Sequence, residues 1–72
     1  MKLIINGEAK ELIVNEETIS LKEIVKLLNY HPKLVVVELN GSIINPKDWV
    51  NKIIKDGDIL EIVTIVGGGS YN

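Results

Sequence analysis

Two Asn-Gly pairs, Asn6-Gly7 and Asn40-Gly41, stand between runs of aliphatic residues and constrain the fold more than any other feature of this chain. A two-residue hairpin loop that matches the twist of its strands needs positive φ at both central positions, and Asn followed by Gly adopts that geometry at least cost. Two β-hairpins are therefore predicted. In the first, Lys2 to Asn6 turns back as Ala9 to Val14; in the second, Leu34 to Leu39 turns into Ser42-Ile43-Ile44. Leu34 to Leu39 is β-branched and almost continuously apolar, the pattern of an inner strand.

Between the hairpins, Asn15-Glu16-Glu17-Thr18 breaks the alternation and Ser20-Leu21-Lys22-Glu23 matches a capping box, which predicts a helix start. Leu21, Ile24, Val25, Leu27 and Leu28 recur at helical spacing as one buried stripe, with Lys22, Glu23 and Lys26 off it. The helix must stop by Tyr30-His31-Pro32, because proline disfavours helical geometry in the residue before it. Pro46 opens a short helical turn, in which Trp49 and Val50 are expected to point inward with Ile53 and Ile54. Lys55-Asp56-Gly57-Asp58 then turns tightly into a last strand, Ile59 to Val66. The order is ββαββ, a helical turn and β: one α+β domain over residues 1–66, followed by a glycine tail over 67–72.

A domain of 72 residues buries only about 60% of its unfolded surface and has no room for a pocket. With no cysteine and one histidine, disulfides, thiolate chemistry and Cys- or His-rich metal sites are excluded. Tyr30, Trp49 and Tyr71 are the only aromatics, so the core is aliphatic. All eight basic residues are lysines against ten acids, net charge −2, which argues against nucleic acid as a partner. Neither a signal peptide nor a membrane-length apolar run is present, so a cytoplasmic protein with no membrane partner is expected.

On the last strand Leu60, Ile62, Thr64 and Val66 face one way and Ile59, Glu61, Val63 and Ile65 the other, so both faces carry aliphatics. One helix covers only one face of a small sheet. Val63 and Ile65, or else their alternates, should therefore sit in water as a partner-contact surface. After this strand comes Gly67-Gly68-Gly69, a run expected to stay extended and mobile, thin enough to enter another protein's active site.

The ββαββ-β order, Asp56-Gly57-Asp58 entering the last strand, and the glycines directly after it together resemble the ThiS and MoaD group of β-grasp sulfur carriers, related in fold to ubiquitin. The likeness covers the chain to Gly69, and Glu61 to Gly69 resembles the ThiS end most closely. The resemblance implies a mixed five-stranded sheet with one main helix on one face and a helical turn before the last strand. It also implies a non-enzymatic carrier that binds no cofactor. An E1-like, ThiF-like adenylyltransferase would spend ATP to adenylate the glycine carboxylate, and a cysteine desulfurase or rhodanese-type donor would replace AMP with sulfur. The thiocarboxylate would then serve a ThiG-like thiazole synthase in thiamin biosynthesis. Carried over by position, Gly69, with Gly68, is the thiocarboxylate terminus, and Gly67, Gly68 and Gly69 thread the partner's channel. Val63, Ile65, Glu61, Asp56 and Asp58 form the partner surface, the acids suiting a basic docking site.

One feature departs from the family pattern: Ser70-Tyr71-Asn72 follows the glycines, so Gly69 lies within the chain. The extension is removed by a processing protease, is an addition made for expression, or marks a chain that is never activated. Processing would bring molybdopterin, cysteine or homocysteine pathways forward as alternatives to thiamin. A ubiquitin-like modifier and an interaction module with an idle tail are the other classes. His31 beside Pro32 reads as a helix-end residue, Trp49 as core or lid, and Asp56 and Asp58 as turn formers around Gly57 rather than metal ligands.

Overall fold

Both Asn-Gly turns adopt the mirror-image geometry that a two-residue hairpin needs, with φ of 51° at Asn6 and 84° at Gly7, and 51° at Asn40 and 90° at Gly41. The computed structural model describes residues 1–65. The expectations placed on Val66, on Gly67 to Gly69 and on Ser70-Tyr71-Asn72 lie outside the described residues. In chain order the elements are β1 (Lys2–Ile5), β2 (Glu8–Glu11), β3 (Ile19–Ser20), α1 (Leu21–Leu27), β4 (Val35–Leu39), β5 (Ser42–Ile43), β6 (Ile53–Ile54) and β7 (Ile59–Thr64). Two 3₁₀ turns, Pro32–Leu34 and Pro46–Asn51, precede β4 and β6.

The main sheet runs β2-β1-β7-β4-β5. The strand with aliphatics on both sides, β7, takes the centre, parallel to β1 and antiparallel to β4. Both hairpin turns flank it, and their asparagines do more than bend the chain. Where β1 ends, Asn6 Oδ1 accepts from the Ile62 amide at 2.7 Å and its Nδ2 donates to the Ile62 carbonyl at 3.2 Å. Where β4 ends, Asn40 Oδ1 accepts from the Ile59 amide at 2.9 Å. Each side chain thus completes the ladder of the central strand beyond the reach of its neighbour, satisfying backbone groups that would otherwise go unpaired.

The capping box forms as expected: Glu23 N donates to Ser20 Oγ, and Ser20 N donates to Glu23 Oε1 at 2.9 Å. The helix stops earlier than the Pro32 argument requires. Asn29 takes φ 67°, its amide donates to the Lys26 carbonyl and the Tyr30 amide to the Val25 carbonyl, so a Schellman motif with asparagine ends α1.

One face of the sheet supplies Leu3, Ile5, Val35, Val37, Leu39, Leu60 and Ile62 to the core, and Leu21, Ile24 and Val25 of α1 cover them. Three apolar residues expected inside are exposed. Leu27 is half exposed because, at about 100° per residue, it falls some 60° outside the arc shared by Leu21, Ile24, Val25 and Leu28. Val50 is exposed because the Pro46–Asn51 turn is 3₁₀, with one inward position per three residues, and Trp49 holds it. Ile53 is exposed because it belongs to a strand: β6 pairs with β3 in a two-stranded ribbon, and strict alternation turns Ile54 in and Ile53 out. Two-residue strands carry no periodicity to read, so nothing in the sequence announces this ribbon.

Candidate functional site: the end of the central strand and its two flanks

At the C-terminal end of β7, the Ile65 amide donates to the Leu34 carbonyl, so the chain leaves the sheet pinned to the start of β4. Two different surfaces meet at this exit. The first is the sheet face opposite α1. There Val63, 60% exposed, lies across from Val36, and Ile59 and Ile43 extend the apolar area along the sheet. In its middle Glu61 of β7 stands directly opposite Glu38 of β4. Like charges in register across antiparallel strands destabilise the pair, so the fold gains nothing from this arrangement.

The second surface is an open groove of about 600 Å³, floored by Trp49 and Val35 and flanked by Pro32 and Pro46, with Ile65 at its edge. It corrects the expectation that so short a chain has no room for a pocket: two 3₁₀ turns packed beside the sheet leave a trough between them. Its charged lining residues are Lys22, Lys33 and Lys47. None of these was singled out from sequence. The available signal was a repeated pattern, His31-Pro32-Lys33 and Asn45-Pro46-Lys47. In each, proline opens the turn and the preceding side chain caps it: His31 Nδ1 accepts from the Lys33 amide and Asn45 Oδ1 from the Lys47 amide at 3.1 Å.

The residues expected to act together do not all converge. Val63, Ile65 and Glu61 are exposed near the exit. Asp56 and Asp58 sit at the opposite end of β7, about 20 Å away for six residues of strand, and both carboxylates are engaged. Asp56 Oδ1 accepts from the Lys2 amide at 2.6 Å; Asp58 Oδ1 accepts from Asn40 Nδ2 and its Oδ2 from the Lys55 amide at 2.8 Å. These bonds tie the turn around Gly57, whose φ of 89° requires glycine or strain. Trp49 is core, 2% exposed, with Nε1 donating to the Ile44 carbonyl at 3.0 Å. Among the described residues no three His, Cys, Asp or Glu side chains gather as a metal site, and no helix is long and apolar enough to cross a membrane. One carboxyl has a displaced pKa: hydrogen bonds from Ser20, backbone first, hold Glu23 below its ordinary value of 4.5.

Residues 3–69 match the ThiS family. This chain belongs to it. The ThiS-family fold is seen directly in the crystal structure of the thiamine biosynthesis protein ThiS from Geobacter metallireducens. That chain superposes with a TM-score of 0.80 at 30% identity, over 96% of this chain and 100% of the other. Its solution structure gives 0.76 at 29% identity, over 100% and 92%. The uncharacterized protein ycf40 of Trieres chinensis is 42% identical over 72% of this chain and 71% of its own length. A thiazole synthase of Paramagnetospirillum magneticum is 34% identical over 97% of this chain, which spans only 21% of that protein. The β-grasp fold and the ThiS-type sulfur-carrier identity follow, and with them a non-catalytic carrier role.

Proposed function

We propose that this chain carries sulfur as a thiocarboxylate on Gly69, after removal of Ser70-Tyr71-Asn72, for the thiazole of thiamin. A free carboxylate is a poor acyl donor because its leaving group would be oxide. In the proposed sequence the Gly69 carboxylate attacks the α-phosphorus of ATP on a ThiF-like adenylyltransferase and pyrophosphate leaves. A persulfide of a cysteine desulfurase or rhodanese-type donor then displaces AMP, and a thiol cleaves the resulting acyl persulfide to free the thiocarboxylate. The carrier supplies no base; its part is to deliver the terminus, and glycine suits this because it lacks a Cβ and can follow a narrow channel.

The observation that carries this reading is where the family likeness stops: it runs through Gly67 and Gly68 to Gly69 and leaves out the last three residues. The thiazole acceptor, with a ThiG-like synthase as partner, is favoured over molybdopterin, cysteine or homocysteine because a segment similar to nearly all of this chain lies within a thiazole synthase. A cytoplasmic location is part of the same proposal. The test compares two chains, one ending at Gly69 and one at Asn72, each incubated with a ThiF-type adenylyltransferase and ATP. The shorter chain is expected to release pyrophosphate and, with a persulfide donor, to gain the mass of an oxygen-to-sulfur exchange. Equal adenylation of both chains sinks the processing step, and adenylation of neither sinks the carrier mechanism.

A further inference from the structure

The groove between the two Pro-Lys turns is unused by the mechanism above. Its walls are apolar, and a second hollow of about 340 Å³ continues it past Pro46 and Trp49 toward Ile43 and Ile44, so the feature is a trough rather than a cup. The chain as a whole is acidic, yet the charged groups lining this trough are three lysines, brought in from three separate elements: Lys22 from α1, Lys33 from the first 3₁₀ turn and Lys47 from the second. Among the described residues none of the three is in an ion pair. Lys22 also lies in the first turn of α1, where a cation gains nothing from the helix dipole. For Lys22, then, local stability does not account for the placement.

We propose that this trough seats an acidic segment with aliphatic anchors, belonging to the protein that receives the C-terminal arm; this rests on the carrier reading given above. Charge complementarity selects the occupant. Carboxylates meet Lys22, Lys33 and Lys47, while Leu- or Phe-like side chains lie on Pro32, Val35 and Pro46. A small anion would leave the apolar length uncovered. Ile65, the residue from which the arm departs, lines the trough, so a protein that takes the arm into its active site also covers this surface. Across Val36, on the sheet face, Glu38 and Glu61 present the opposite sign. The two patches flanking one exit make the contact bipolar, which fixes the rotation of the carrier about its arm and discriminates against partners of the wrong charge pattern.

Trp49 is the only tryptophan and floors the trough, so its emission reports occupancy. A peptide alternating Leu and Glu is titrated into the full chain, with a Leu-Lys peptide as control. The expected result is a saturable change with the acidic peptide only, weakened at least tenfold in the K22E/K33E/K47E variant and unchanged in K2E/K10E/K55E, whose lysines lie outside the trough. Adenylation by a ThiF-type enzyme of the chain ending at Gly69 should then show a KM raised about tenfold in the first variant, with kcat retained, and no change in the second. Equal effects of the two lysine sets, or no peptide signal, overturn the proposal. Saturation by inorganic phosphate alone overturns it in favour of a small anion, and an emission shift on deleting residues 66–72 overturns it in favour of the chain's own tail. Loss of adenylation in every chain, wild type included, would count against the carrier mechanism, while the peptide titration still decides the trough.

Discussion

Replacing Asn6 should cost more than its position in a surface turn suggests, because its side chain completes the central strand. In Asn6→Gly the positive φ remains free of strain, so the loss isolates the two bonds to Ile62. The part-buried Ile62 amide loses its acceptor, at about 1–3 kcal/mol, and the Ile62 carbonyl loses its bond from Nδ2, worth about 0.5–1.5 kcal/mol, giving about 1.5–4.5 kcal/mol overall. Asn6→Ala adds about 1 kcal/mol for holding a Cβ at positive φ. Asn40→Gly removes the analogous bonds to Ile59 and Asp58 at an exposed site, where water replaces them, and should cost about 1 kcal/mol. At about 0.05–0.15 kcal/mol per residue, a chain of this size has roughly 4–11 kcal/mol of stability, so Asn6→Gly removes a large share. Urea titration followed by Trp49 emission should show a lower midpoint at unchanged slope, and hydrogen exchange should quicken at Ile62 first. If Asn6→Gly and Asn40→Gly both stay within about 0.5 kcal/mol of wild type, the asparagines serve only as turn formers and the reasoning fails.

Ser20→Ala should destabilise the fold by about 1 kcal/mol through loss of the cap, measured by the same titration. Because Glu23 is held below its ordinary pKa in the folded chain, its contribution is complete above about pH 4.5 and is lost as pH falls through the native value. Glu23→Gln should therefore flatten that part of the acid limb, and an unchanged acid limb would disprove the assignment. Trp49→Phe, read by circular dichroism, should cost about 1–3 kcal/mol by leaving the Ile44 carbonyl without its donor; a neutral effect would mean that water reaches it. Val63→Ser should change stability by less than about 1 kcal/mol, being exposed, yet weaken docking to the adenylyltransferase about tenfold if that valine is buried in the complex. Unchanged docking would remove Val63 from the partner surface.

Local signals made much of the fold legible. Asn-Gly at 6–7 and 40–41, the Ser20–Glu23 capping box and Pro46 each act within four residues, and each appears where its chemistry requires. Legibility failed where a partner element decides the outcome. Nothing near Ile53 announces pairing with Ser20, thirty-three positions earlier, and the second role of Asn6 and Asn40 depends on Ile62 and Ile59 lying beside them. The candidate site divides in the same way. Alternation alone predicted exposed aliphatics on β7, and Val63 and Ile65 are exposed. Grouped with them, Asp56 and Asp58 make a surface that spans the length of β7, because neighbours on a strand separate by over 3 Å per residue.

Which segments extend, which coil and where the chain turns can thus be read from the residues, since backbone sterics and hydrogen bonds between near neighbours set those choices. The family likeness, too, is legible there, in the element order, Asp56-Gly57-Asp58 and the glycines that follow the last strand. What surrounds the exit of β7 comes from packing. Lys22, Lys33 and Lys47 lie up to twenty-five positions apart and share a groove because α1 and two 3₁₀ turns pack at one end of the sheet, and Glu38 meets Glu61 because β4 and β7 pair in that register. Contacts of that range depend on the whole packed core: the two Pro-Lys pairs mark the turns that carry Lys33 and Lys47, but not their meeting with Lys22.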